Sequence, residues 1–436
     1  MSSADLTVLR YVKESVIGVT PDNSVRASGV LTVTANFANT ETVTIGSRVY
    51  TFQTTLTNVS GNVKIAATAA LTLVNLFNAL NSKGGIPGTD YAISTLAHDY
   101  VDPTAFTATT LTVRAKVGGT SGNSLATTDT SATAAWAAAT LAGGTNSSTT
   151  ALTQIRYTGE SLNFNIDNTK TSEITPTRVE TDLIQTAASG GGDINIEMSY
   201  NSFDDFLASC LCSTWAANVL TNGTILDTYT IQKSFPDVTP PQFHNYRGTA
   251  VESLKLSMEV GKIVTGSFSF MSFGLDPDTG VTGTQFGGAT FVSPPTTTPM
   301  NAVTNVQNFM IESVPYSGCI SKLDFEIKNN IRAIKCIGSL GPKDMKLGTL
   351  EVTGSMEFYF NDGSNYARFV AGEEFDFSFM LVDDANNAYT LKFDRCKFES
   401  GEVVAGGRNS DVMFKAKWRA LYNGTVGRVL QITRLP

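Results

Sequence analysis

The sequence predicts a mainly β protein: two tandem β-barrel or β-sandwich domains related by internal duplication, a short helix in each or in one copy, and a small inserted β-rich (α+β) domain. Three observations carry this prediction. Charged residues are only 16 % of the 436-residue chain, while Thr, Ser, Val and Phe abound, the usage of pleated, half-buried surfaces. Alternating apolar and polar residues recur along the chain, as in "TVTIGSRVYTF" and "KLDFEIK". Three phrases also return in the same order at offsets of about 140 to 160 residues, the signature of a repeated unit.

Residues 1–27 read as an N-terminal arm whose "LRYVKES" (9–15) is echoed by "IRYTGES" (155–161). Between the echoes lies a module at 28–146, bounded by the Gly/Ser/Thr/Asn-rich stretches "DNSVRASG" and "LAGGTNSSTT". It holds the strand-like "GVLTVTA", "TVTIGSRVYTF" and "TLTVRAKV". One helical run, "AATAALTLVNLFNALN", places Leu71, Val74, Leu76, Phe77 and Leu80 near core spacing. The arm is thus one segment split by an insertion.

The two repeated units are expected at 147–290 and 304–436, with the Pro/Thr-rich 291–303 as an extended linker. "SLNFNID" (161–167) matches "KLDFEIK" (322–328), and "GGDINIEMSYNSFDDFL" (191–207) matches "LGTLEVTGSMEFYFNDG" (347–363). "LKLSMEVGKIVTGSFSFMSF" (254–273) matches "CKFESGEVVAGGRNSDVMFKAKWRAL" (396–421). The first unit carries a short helix near 202–218, with Ser202 as N-cap and Asp204 and Asp205 in the first turn. The second has two turn phrases, "FNDGSN" and "VDDANN".

Two segments in equivalent places, 168–191 and 329–347, are too long for turns yet carry spaced apolar residues: Ile174, Val179, Leu183 and Ile184 in one, Ile331, Ile334, Ile337 and Leu340 in the other. These favour docking over disorder, and with Leu9 and Tyr11 of the arm they are the expected contact residues.

The inventory for chemistry is thin. His98 and His244 fall in different domains, and Cys210-x-Cys212 has the wrong spacing for a structural zinc pair. Asp204/Asp205 fit a helix start, and Glu373/Glu374 precede a strand on which neighbours face opposite ways. "DPDTG" (276–280) lacks the later ligands of a calcium loop and reads as a solvated turn. "GGTSGN" and "SGGGD" lack a phosphate-loop Lys-Ser/Thr. No enzyme activity, cofactor or metal is expected. The net charge of −8 and pI near 5.0 argue against wrapping DNA. With five cysteines, no basic-then-apolar leader and no apolar run of membrane length, the expectation is reduced thiols, no export and no membrane span.

"LRYVKESVIGVTP", "LTQIRYTGESLNFNIDNTKTSEITPTRVETDL", "GGDINIEMSYNSFDDFLASCLCSTW" and the stretch from "LGTLEVTGSMEFYF" to "CKFESGE" resemble the major tail tube proteins of long-tailed, siphophage-type bacteriophages. The likeness covers 1–27 and 147–436, and 28–146 is similar to a small module of phage structural proteins. The resemblance implies a virion protein assembled in the host cytoplasm. Its subunits would form rings that stack into a hollow tube conducting DNA into the host, with an acidic wall that discourages the DNA from sticking. Duplication makes that ring a trimer with pseudo-sixfold symmetry. Its implied partners are further copies of itself, a tape measure protein inside the tube, tail terminator and tail-tip proteins, and DNA in transient non-specific passage. The contact residues of the arm and the two long segments would then serve inter-ring or inter-subunit contacts, the long loops reaching the neighbouring ring, and the insert would decorate the outside. Two other readings stand beside this one. A β-sandwich adhesin would use Trp136 or Trp215, and a glycan hydrolase would require two converging carboxylates that the sequence does not offer.

Overall fold

The computed structural model describes residues 6–21, 25–116, 118–145, 151–174, 176, 179–239, 241–279, 286 and 289–436. The expected linkers around the insert fall partly on 22–24 and 146–150, outside the described residues.

The N-terminal strand β1 (Val8–Lys13) precedes a module with its own core. One sheet has the order β6-β7-β2-β9, formed by β2 (Ser28–Val33), β6 (Val101–Phe106), β7 (Thr110–Ala115) and β9 (Ala134–Trp136). The other, β5-β4-β3-β8, is formed by β3 (Thr42–Ile45), β4 (Arg48–Gln53), β5 (Asn62–Lys64) and β8 (Thr127–Asp129). Helix α1 (Ala69–Asn81) begins at Thr68, whose hydroxyl accepts from the Leu71 amide. Its buried stripe is Leu73, Leu76, Ala79 and Leu80, while Leu71 is exposed. Of the expected face, Leu76 and Leu80 are buried and Phe77 packs on the core; Leu71 alone is exposed, two residues and more than half a turn from Leu73. Val25 and Thr145 exchange backbone hydrogen bonds of 2.9 and 3.0 Å, so the chain leaves and returns at one point.

Most of the remaining chain forms one extended sheet system, antiparallel except for the parallel pairing of 151–153 with 290–292. In its first half β11 (Gly159–Glu160) and β12 (Asn163–Lys170) pair with β13 (Leu183–Glu197), and β13 pairs with β17 (Thr265–Ser272). Strand β17 pairs with β16 (Gln242–Glu259), which also pairs with β15 (Tyr229–Phe235) and β18 (Gly274–Thr279). In the second half β22 (Ile320–Lys328) pairs with β25 (Glu351–Tyr359), and β25 with β28 (Val412–Ala420). Strand β28 pairs with β27 (Ala388–Ala405), which also pairs with β26 (Phe375–Val382) and β29 (Leu430–Leu435). The pairing order is the same in both halves, and so are two irregularities. β15/β16 and β26/β27 shift register at Tyr229/Ile231 and Phe375/Phe377, and β16/β17 and β27/β28 shift at Val251/Ser253 and Phe398/Ser400. Strand β1 lies along β15 as β20 (Val306–Ile311) lies along β26.

Period-two patterning places one face of these strands in the core. On β25, Val352, Met356 and Phe358 are buried, while Glu351, Thr353, Ser355 and Glu357 point to the other face. Buried Trp418 lies over Gly354, its cross-strand partner, where a Cβ would come within 2.5 Å of the indole. Over the core lie α2 (Asp204–Cys210) and α3 (Ser364–Ala371), each following the second strand of its half.

Several local expectations are corrected. "FNDGSN" leads into α3, because Asp362 accepts from the amide and hydroxyl of Ser364 and starts a helix there. "VDDANN", by contrast, is the expected hairpin turn, between β26 and β27 and closed on Asp383. Most of "DPDTG" is strand β18, since partner β16 satisfies its backbone; Gly280 lies outside the described residues. Ser202 does not cap α2: its hydroxyl accepts from Ser199, and Phe203 holds the cap position. The two long segments are largely hairpin. The first extends β12 and β13 to the pair Lys170/Leu183, and the second holds β23 (Arg332–Ile334) and β24 (Asp344–Lys346).

Candidate assembly surfaces

The halves are fused within one sheet. Strand β16 pairs antiparallel with β22, from Ser253/Lys328 to Glu259/Lys322. The continuous order is β12-β13-β17-β16-β22-β25-β28-β27, eight strands. Among the described residues, two edges of this sheet have no partner: the outer side of β12, and β27 over Ser400–Ala405, whose ladder there is with β28 alone. Both edges are largely exposed. Unpaired edges of this length invite another strand.

The polar face of the sheet is a shallow open trough of about 930 Å³ lined by Asp324, Glu326, Glu351 and Glu399 but also by Lys255, Lys417 and Arg419. Opposite charges meet across strands: Lys255–Glu326 at 3.7 Å, Lys415–Glu357 at 3.5 Å, Arg419–Glu351 at 3.8 Å, and Arg419 with Glu399. Along β22, Lys322 meets Asp324 at 2.8 Å. The face is therefore not uniformly acidic: basic side chains are interleaved with the acidic ones, which remain in excess through Asp193, Glu197 and Glu402.

The apolar residues singled out above separate into three groups. Leu9 and Tyr11 are buried in the chain's own core, which removes them as free contact residues. Tyr11 packs on Phe206 at 4.7 Å and donates to Asp205 at 2.8 Å; burial, then Asp205, push its hydroxyl pKa up. Ile331 is also buried, in a cluster with Ala250, Phe273 and Met345 that seats the β23–β24 hairpin on the first half. Ile174, Val179, Leu183, Ile184 and Ile337 are exposed, and Ile334 and Leu340 are just so. The Leu340 carbonyl accepts from Ala188, so the base of one hairpin touches the tip of the other.

The phage tail tube protein family matches residues 132–420, from β9 through β28. The chain belongs to this family. It is a structural component of a phage tail that self-assembles into a tube, and its mainly β architecture agrees. No curated protein matches the chain. Among the described residues no group of three or more His, Cys, Asp or Glu side chains is placed to hold a metal, and no helix is long and apolar enough to cross a membrane.

Two polar nodes of the tail tube subunit went unread in the sequence. Glu14, buried, accepts from the hydroxyls of Thr228 and Thr230, both at 2.7 Å, and from the amides of Gly248 and Gly18, both at 2.8 Å. This clasp fastens the arm to β15 and β16. The "RYxxES" echo was its signal: the matching Glu160 is also mostly buried, paired with Lys233 and accepting from the Leu162 amide. The second node is Asp204, which joins the halves by accepting from Tyr389 and, at 2.5 Å, from Arg434, whose guanidinium also lies 4.2 Å over Trp215. No local pattern could reveal it, since its partners are 185 and 230 residues away. Trp215 donates to the Asp204 carbonyl and Trp136 to the Thr128 carbonyl, so both tryptophans have structural partners.

Proposed function

We propose that three subunits close into a ring with pseudo-sixfold symmetry, and that rings stack into the tail tube that conducts DNA into the host. The single observation carrying this reading is the β16–β22 junction. It joins two halves of identical pairing order, and the edges it leaves over, β12 and β27, are the counterparts of the two edges it consumes. A head-to-tail contact of this kind generates a ring when the rotation closes.

Strand spacing supports three chains rather than two. Eight strands per chain at about 4.8 Å spacing and about 40° tilt give a backbone diameter near 50 Å for three chains, but only about 30 Å for two. Side chains on the inner face would take up much of the smaller ring. In this reading 147–290 and 304–436 are duplicated domains, 291–303 their linker, and 28–146 an external decoration. The interleaved, net acidic polar face would line the lumen, which lets DNA pass without finding a continuous basic track. A tape measure protein would occupy the lumen during assembly in the host cytoplasm, with terminator and tip proteins at the ends.

Negative-stain electron microscopy with mass photometry tests this. Rings of three subunits with six lobes, or hollow tubes built of them, are expected. A stable monomer at micromolar concentration, with no polymer after seeding by tail-tip complexes, overturns the proposal.

A further inference from the structure

Within the chain, the hairpin of the second half is folded onto the first half, where Met345 and Ile331 are buried against Ala250 and Phe273. Among the described residues, the hairpin of the first half has no such seat. The two can be placed in register through Gly192, opposite Phe270, and Gly354, opposite Trp418. Leu183 lies nine residues before Gly192, and Met345 nine before Gly354. Met345 is 1 % exposed and Leu183 is 56 % exposed. The same count carries the seat across: Phe273 follows Phe270 by three residues, and Leu421 follows Trp418 by three.

We propose that the β12–β13 hairpin of one subunit docks on the Leu421 face of a second copy of this chain in the same ring, burying Leu183 as Met345 is buried within the chain. This rests on the ring reading above. The occupant follows from the equivalence, since a second copy is what carries the Leu421 counterpart of the seat in reach of this hairpin. Near its end Ile174, Val179, Leu183 and Ile184 are all exposed, apolar side chains that water disfavours. The inference departs from the expectation that equivalent long loops both reach the neighbouring ring. Here the pair serves lateral closure.

The test is disulfide trapping in assembled tubes of the full chain, with the exposed Cys319 and Cys336 changed to Ser, and with Leu183→Cys combined with Leu421→Cys. Oxidation is expected to give a covalent trimer as the largest species on a non-reducing gel, because each ring closes on itself. Neither single-cysteine variant should give it. Leu183 is exposed in the subunit, so Leu183→Asp is expected to fold normally while losing ring formation at least tenfold in concentration dependence. Tubes that form without any 183–421 cross-link overturn the docking while leaving the ring standing. A ladder running beyond trimer overturns it by placing Leu183 against a stacked ring. Failure of the parent protein to form rings at all removes both proposals together.

Discussion

The carboxylate of Glu14 accepts a 2.8 Å hydrogen bond from the backbone amide of Gly248, a residue in the left-handed region (φ 61°). The arm and the bend of β16 thus hold each other in place. Glu14→Ala would leave two hydroxyls and two amides without their acceptor, at roughly 1–3 kcal/mol for each group that stays dry. Partial hydration through the vacated space should keep the loss near 3 kcal/mol. Thermal unfolding of the full chain is expected to show a lower midpoint for the tube transition, with a smaller drop for Glu14→Gln. An unchanged midpoint in both variants would show that the clasp is dispensable.

Gly354→Ala should be destabilising although its backbone is ordinary strand. The added methyl would meet the Trp418 indole at 2.5 Å and the Asp324 carbonyl, and neither can retreat within the sheet. Overpacking of this kind costs about 1–3 kcal/mol. The urea midpoint measures it, and tryptophan emission should shift as the indole is displaced.

Asp204→Asn tests the link between halves. Asn keeps the shape but loses the charge that Arg434 faces, in a site that is only partly shielded, so about 1–3 kcal/mol is expected rather than the larger cost of a dry pair. Hydrogen exchange should rise first in β29 and in β14 (Val219–Thr221), which pairs with it. Uniform exchange across both halves would mean that the node carries no local load.

Acid should loosen the N-terminal module around α1 first. His98 is buried, with Nδ1 accepting from the amides of Tyr100 and Val101 at 3.1 and 3.2 Å and Nε2 facing the Ile45 carbonyl at 3.1 Å. Burial, as the largest cause, holds its pKa below the ordinary histidine value. The unfolded chain takes up a proton from about pH 6.5 downward, which the folded site resists. The contribution is therefore complete above about pH 6.5 and is lost as pH falls through the lower folded value. Hydrogen exchange of α1 measured from pH 7.5 to 5, corrected for intrinsic rates, should accelerate in the native protein, and His98→Gln should flatten that dependence.

What could be read from the sequence was local. Alternation in "KLDFEIK" and "TVTIGSRVYTF" marks strands because burial on one face imposes period two. The Asp-Asp-Ala-Asn-Asn turn announces its hairpin through side chains that bond to their own backbone. What failed needed distant partners. α3 hides behind Gly and Asp residues that suit a turn equally well, and tertiary packing on β27 decides between them. Leu9 and Tyr11 look like free apolar residues on an arm until β15 and α2 are placed beside them. Of two similar hairpins, nothing local says that one is seated and the other exposed.

The hydrogen-bonded pair Val25 and Thr145 makes the module a plug in a socket. Because its two ends occupy almost one point in space, the scaffold sees the same boundary whether the 119 residues between them are present or replaced by a short turn. In the proposed tube the same port would let an engineer hang a foreign domain on every subunit.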